Sequence, residues 1–198
     1  MESENRAQNL VFALIAMAAT ATLAWFGNGL DPIWPLMWIA PLPVLLYALW
    51  HSWGSTAVVA FLAWLLGCTN MWHYTAVLGA SASLWIRIFS GAALVFALAV
   101  LLFRALLRRE AYWSALLAFP ATWVSFEYLN NLTSIHGTAG SLSYSQLKFL
   151  PLLQLASITG PWGISFLLLL FSTAIAAAFY LRHDSASRRA RHRLLRAR

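Results

Sequence analysis

The chain has 198 residues, of which 61% are hydrophobic and 10% charged, with a formal net charge of +7. Soluble domains average about 45–50% apolar and about 25% charged residues, so the composition excludes an ordinary soluble domain and marks a membrane protein. A helix crosses a hydrocarbon core of about 30 Å with about 20 apolar residues, and one membrane domain of about six spans uses most of the length. The 11 Trp within a 15% aromatic content suit interfacial belts at helix ends. The single cysteine, Cys68, excludes an intrachain disulfide and a cysteine-based metal cluster, and in mid-helix it reads as a small packing residue.

In chain order, six hydrophobic segments are predicted as helices: residues 9–26, 33–50, 55–74, 84–107, 112–129 and 160–181. Backbone groups must be satisfied internally in lipid, so runs of this length form helices. No alternating ten-residue pattern points to a barrel. Pro35, Pro41 and Pro43 predict that the second segment bends, and Pro120 predicts a bend in the fifth. The leader before the first segment, Met1 to Arg6, lacks the positive character of a secretory signal, so a retained first helix is expected. The expected fold is an all-α polytopic membrane protein of about six transmembrane helices. Its helical domain covers residues 1–181, with an outer loop over 130–159 and a basic tail over 182–198.

All but Arg87 and Lys148 of the 13 basic residues fall on one side if the N-terminus is cytoplasmic. They are Arg6, the cluster Arg104, Arg108 and Arg109, and the arginines from Arg182 to Arg198. The positive-inside rule then predicts cytoplasmic N- and C-termini. The C-terminal run is read as a topology signal that touches anionic headgroups, with no nucleic-acid partner.

The expected outer surface carries Asn28 to Asp31, Met71 to Ser83 and the polar stretch Asn130 to Thr159. The ionisable and polar residues near it are His73, Arg87, Glu127, His136, Tyr144, Ser145 and Gln146. An ionisable group in a membrane helix needs a partner or a role, and Glu127 is the clearest case, with Trp123 four residues earlier on its face. Either Glu127 pairs with Arg87 and braces the outer cavity, or it caps a loop amide while Arg87 snorkels to the headgroups. A Ser-His-acid site drawn from Ser143 or Ser145, His136 or His73, and Glu127 or Asp31 lacks a nucleophile elbow. A metal site from His73, His136 and Asp31 lacks ligand spacing, and no cofactor is implied. Asn131-Leu-Thr133 is a short, chance-prone sequon match.

The residues around Trp123, Glu127, Tyr144-Ser145-Gln146 and Pro151 to Phe166 resemble the membrane domain of bacterial apolipoprotein N-acyltransferases. Trp34-Pro35-Leu36, Ala40-Pro41-Leu42, and Phe61 to Tyr74 with its aromatics Trp72 and Tyr74 extend the likeness to about Leu181. The resemblance implies a multi-pass protein of the bacterial inner membrane with phospholipid and diacylglyceryl lipoprotein as partners. In that reaction an acyl chain passes from a phospholipid to a cysteine thiol, then to the lipoprotein's N-terminal amine; the thioester divides one hard transfer into two. The family's chemistry belongs to a nitrilase-like domain with a Glu-Lys-Cys triad, for which the 17 residues after Leu181 are too few. Neither Lys148 nor Cys68 replaces that triad. Asn130 stands where the family carries a basic residue, and Gly137 to Ser141 replace bulky aromatic loop residues. The expectation is therefore a scaffold, catalytically incomplete alone, with Trp123, Glu127, Tyr144, Ser145, Gln146, His73 and Arg87 facing lipid or substrate. It would be either a truncated gene product or half of a split enzyme whose nitrilase-like partner is encoded separately. The alternative is a non-catalytic lipid-binding or assembly protein that keeps the fold.

Overall fold

A computed structural model describes residues 2–77, 79, 81–134 and 137–196, with side chains described except at 2, 3, 73, 75, 76 and 185–196. Its helices are α1 (Glu2–Gly27), α2 (Trp34–Ile39), α3 (Leu42–Trp50), α4 (Trp53–Cys68), α5 (Trp72–Val77), α6 (Ala82–Arg108), α7 (Tyr112–Thr133), α8 (Leu150–Leu153) and α9 (Ala156–Arg196). The fold is all-α, and α1, α4 with its following turn, α6 and α9 are each long and apolar enough to cross a membrane.

The other two expected spans differ for local reasons. Residues 34–50 form a shorter apolar stretch divided between α2 and α3. Ala40 and Pro41 keep right-handed helical φ and ψ, so the interruption is one of hydrogen bonding: Pro41 and Pro43 have no N–H to donate. Helix α7 has 22 residues and runs on through Pro120, but the polar groups of its last turns lower its hydropathy.

Neighbour packing orders the long helices as α1, α4, α6, α7 and α9, and α2–α3 bridges α1 to α9. Without a hydrophobic drive between helices in lipid, close backbone approach by small residues supplies the contact. Gly67 shows this: a Cβ there would meet Ala24 Cβ at 2.6 Å and the Ala21 carbonyl oxygen at 3.4 Å, so α1 and α4 touch where neither carries bulk. The centre is aromatic. Trp64 stacks on Phe96 at 4.2 Å, Trp123 meets Trp64 edge-on at 5.0 Å, and Phe119 meets Phe96 edge-on at 5.5 Å.

Helix ends explain most boundaries. Helix α4 stops at Cys68, short of the expected residue 74, and a 3-10 turn follows over Thr69–Met71. Asn70 then donates from Nδ2 to the carbonyls of Trp25 and Asn28, both at 2.8 Å, which satisfies the end of α1. Cys68 is thus the last residue of α4 rather than a mid-helix residue, and it packs against the core. Helix α6 ends in a Schellman turn, with Ala111 N donating to Leu106 O and Glu110 N to Leu107 O, both at 3.0 Å, and Glu110 at φ 58°. That turn reverses the chain into α7.

Candidate functional site: the anchored segment between α7 and α9

Residues 137–149 fold back over the ends of α2, α7 and α9, and buried polar groups tie down both ends of the segment. At the first end, the Glu127 carboxyl is the hub. Trp123, one turn earlier on α7, donates its indole N–H to Oε1 at 2.9 Å, and the Leu142 amide donates to the same oxygen at 2.8 Å. Ser141 Oγ donates to Oε2 at 3.1 Å and lies 3.2 Å from Ser165 Oγ on α9 and 3.0 Å from Ser143 Oγ. Glu127 is only 8% exposed, so its oxygens depend on these donors in place of water. The carboxyl thereby joins α7, the start of the 3-10 turn Leu142–Gln146, and α9.

At the second end, Gln146 is fully buried and uses both ends of its amide. Its Oε1 accepts from Trp38 Nε1 at 3.0 Å, and its Nε2 donates to the Trp34 carbonyl at 3.0 Å and to Ser145 Oγ at 2.8 Å. Ser145 Oγ in turn donates to the Leu142 carbonyl at 2.6 Å, which holds the 3-10 turn closed. Phe149 stacks on Trp34 at 4.6 Å, and Lys148 pairs with Asp31 at the surface. Lys148 holds the Asp31 carboxyl below its ordinary range through its hydrogen bond and its charge. Tyr144 is the outward member, 39% exposed, with its hydroxyl 2.6 Å from Thr138 Oγ1.

The structure therefore gathers Trp123, Glu127, Tyr144, Ser145 and Gln146 around one segment, and among these Tyr144 has the exposed side chain. Arg87 lies elsewhere, exposed on α6, and Glu127 does not pair with it: its carboxyl caps the Leu142 amide, the second of the two arrangements the sequence allowed. The reason is proximity in the chain, since the segment returns directly onto the helix that carries Glu127. His73 lies on α5 with its side chain outside the described residues, as His136 lies outside them altogether. Sequence reasoning missed Ser141 and Ser165, the Trp34 and Trp38 ends of the Gln146 tie, and the Lys148–Asp31 pair. The run from Gly137 to Ser141 was the available signal, because Gly137 and Gly140 take positive φ of 59° and 87° in the turns that lead to the Leu142 amide.

Near this segment, a crevice of about 470 Å³ opens between the ends of α1 and α4, lined by Trp25, Phe26, Gly29, Asp31, Met71 and Tyr74 among others. Among the described residues there is no His, Cys, Asp or Glu group able to hold a metal ion.

Long apolar helices with a polar cap folded over one end define an all-helical polytopic membrane protein. A family model described as the apolipoprotein N-acyltransferase N-terminal domain matches residues 18–174, and the chain belongs to that family. It is 32% identical over 155 residues to an apolipoprotein N-acyltransferase of Chlorobaculum tepidum, covering 73% of this chain and 27% of the relative. Apolipoprotein N-acyltransferase 1 of Treponema denticola is 45% identical over 58 residues, 29% of this chain and 11% of the relative. The Geobacter metallireducens apolipoprotein N-acyltransferase is 40% identical over 62 residues, 31% of this chain and 12% of the relative. The matched stretches thus span about a quarter or less of these curated relatives. No solved structure matches the chain.

Proposed function

We propose that these residues form the membrane-embedded, lipid-handling part of an N-acyltransferase of the bacterial inner membrane. The reaction would move an acyl chain from a phospholipid to the N-terminal amine of a diacylglyceryl-cysteine lipoprotein. The family match over residues 18–174 carries this reading, because it includes the whole Glu127–Gln146 segment and the helices that hold it. The segment would be a rigid platform at the membrane boundary, and the apolar crevice beside it would take an acyl chain.

The nucleophile is proposed to lie outside residues 1–198, on a nitrilase-like domain in the same polypeptide or separately encoded. Cys68 is packed against the core at the end of α4, and nucleophilic thiolates need a polar, accessible setting with a nearby base or cation. Glu127 is saturated by the donors it already has, which suits a structural anchor rather than a proton carrier.

Complementation tests the reading. In a bacterium depleted of its own acyltransferase, this chain alone should fail to restore growth, and the chain with a nitrilase-like domain from a relative should restore it. Rescue by the chain alone would place the chemistry within these residues. Failure of the combined form, with both parts present in the membrane, would favour a non-catalytic lipid-binding protein.

A further inference from the structure

A second buried charge sits away from the anchored segment. Arg104, one turn from the end of α6, is 2% exposed. Its Nε donates to the Ala48 carbonyl at 2.7 Å and its Nη2 to the His51 carbonyl, so it serves two carbonyls at the C-terminus of α3. Its third nitrogen, Nη1, is buried and has no hydrogen-bond partner. No carboxylate pairs with Arg104 among the described residues, and the charged side chain that acts on it is another cation, Arg108. A buried charge ordinarily has a counter-ion or a full set of hydrogen bonds. Arg104 has neither.

Two further observations bear on what that nitrogen can bind. The guanidinium lies 4.6 Å over the ring of Trp53, the first residue of α4, and so at that helix's N-terminus. Ser52 Oγ accepts from the Ser55 amide, which leaves the Trp53 and Gly54 amides for an outside acceptor. A Cβ built on Gly54 would meet nothing within 4 Å, so the side-chain face of this first turn is open. Trp53 is itself half-exposed, so the ring that covers the guanidinium lies at the surface. Helix amides, an unsatisfied guanidinium nitrogen and Arg108 a turn further along α6 all call for one kind of ligand, a compact oxyanion.

We propose that the junction of α3 and α4 with the end of α6 binds the phosphate of an anionic phospholipid, held by Arg104, the Trp53 and Gly54 amides, and Arg108. Phosphate matches the planar guanidinium and the helix terminus, and these residues close a long apolar helix, where a lipid headgroup lies. The site is independent of the acyl-transfer reading, since it shares no residue with the segment between Glu127 and Gln146.

Native mass spectrometry of the detergent-purified chain, offered equal phosphatidylglycerol and phosphatidylcholine, tests the proposal. Both lipids carry the phosphate, but the choline cation of the second is repelled by Arg104 and Arg108, so wild type should retain phosphatidylglycerol about tenfold over phosphatidylcholine. Arg104→Gln should remove the preference. Because Arg104 also caps α3, Gly54→Glu provides the variant that keeps the fold: an acidic residue is favourable in the first turn of a helix and occupies the open space with its own anion. That variant should melt no lower than wild type in phosphatidylcholine and retain both lipids equally. The basic C-terminal run is unchanged in it, so a preference that survives Gly54→Glu comes from elsewhere and overturns the proposal. Equal retention by wild type overturns it too. Inorganic phosphate is the other arm: a rise in melting temperature as large as that given by phosphatidylglycerol would assign the site to free phosphate, against a lipid.

Discussion

Glu127 and Arg104 are both buried ionisable side chains without an oppositely charged partner, and they lie toward opposite ends of the α6–α7 hairpin. They solve the same problem differently. Glu127 receives an indole N–H from its own helix, and a backbone amide and a serine hydroxyl from the segment that folds against it. Arg104 has two carbonyls and one nitrogen left over. A saturated buried group fixes local structure, whereas an unsaturated one retains a donor that a ligand can use. The membrane-embedded charge that looked functional in the sequence is the saturated one.

The largest test of this contrast is Glu127→Leu. It strands the Trp123 indole, the Leu142 amide and Ser141 together, and should destabilise the protein by roughly 3–5 kcal/mol in detergent unfolding. A loss below about 1 kcal/mol would show that the donors find other partners and that Glu127 is not the hub. Gln146→Leu tests the second anchor. It leaves the Trp38 indole without its acceptor and takes the second donor from the Trp34 carbonyl, and should cost about 1–3 kcal/mol, with increased proteolysis near Lys148 as the local readout.

Gly160→Ala tests the break inside α9, where Gly160 departs from helical φ and ψ. Gly160 has φ 66° and ψ −173°, a conformation that only glycine adopts without strain, and an added Cβ would meet the Trp162 ring at 2.9 Å. The expected loss is about 1–3 kcal/mol by thermal unfolding. An unchanged midpoint would mean that the turn before Pro161 relaxes freely.

The smallest effect is that of the surface pair. Lys148 lowers the Asp31 carboxyl below its ordinary range. A carboxyl lowered on folding stabilises the folded state above its unfolded-state value, and that contribution is lost as pH falls through the lowered folded value. Lys148→Ala should therefore reduce stability slightly near neutral pH and leave it unchanged once Asp31 is protonated in acid. Because the pair is exposed, the difference should shrink in high salt. A difference that persisted in acid would assign the effect to lost packing of the lysine.

Much of the helical layout was legible from apolar runs and prolines. The fourth segment, expected over residues 84–107, is α6 at Ala82–Arg108, because a long apolar run has few competing ends. The i, i+4 spacing also gave the Trp123–Glu127 contact. The end of α4 was not legible, because Asn70 stops it by capping a helix more than forty positions earlier in the chain. The Gln146 tie to Trp34 and Trp38 spans more than a hundred positions and leaves no local pattern. Arg104 was counted as one of several topology charges. Its burial follows from the α3 terminus folding against α6, which single-helix reasoning does not reach.

The proposal that the nucleophile lies outside these residues is tested most directly by intact mass. The purified chain would be incubated with a phospholipid of defined acyl mass, alone and with a nitrilase-like domain from a relative. Acyl mass should appear on the nitrilase-like domain, and none on this chain in either arm. A stable gain of one acyl group on Cys68 would contradict the proposal.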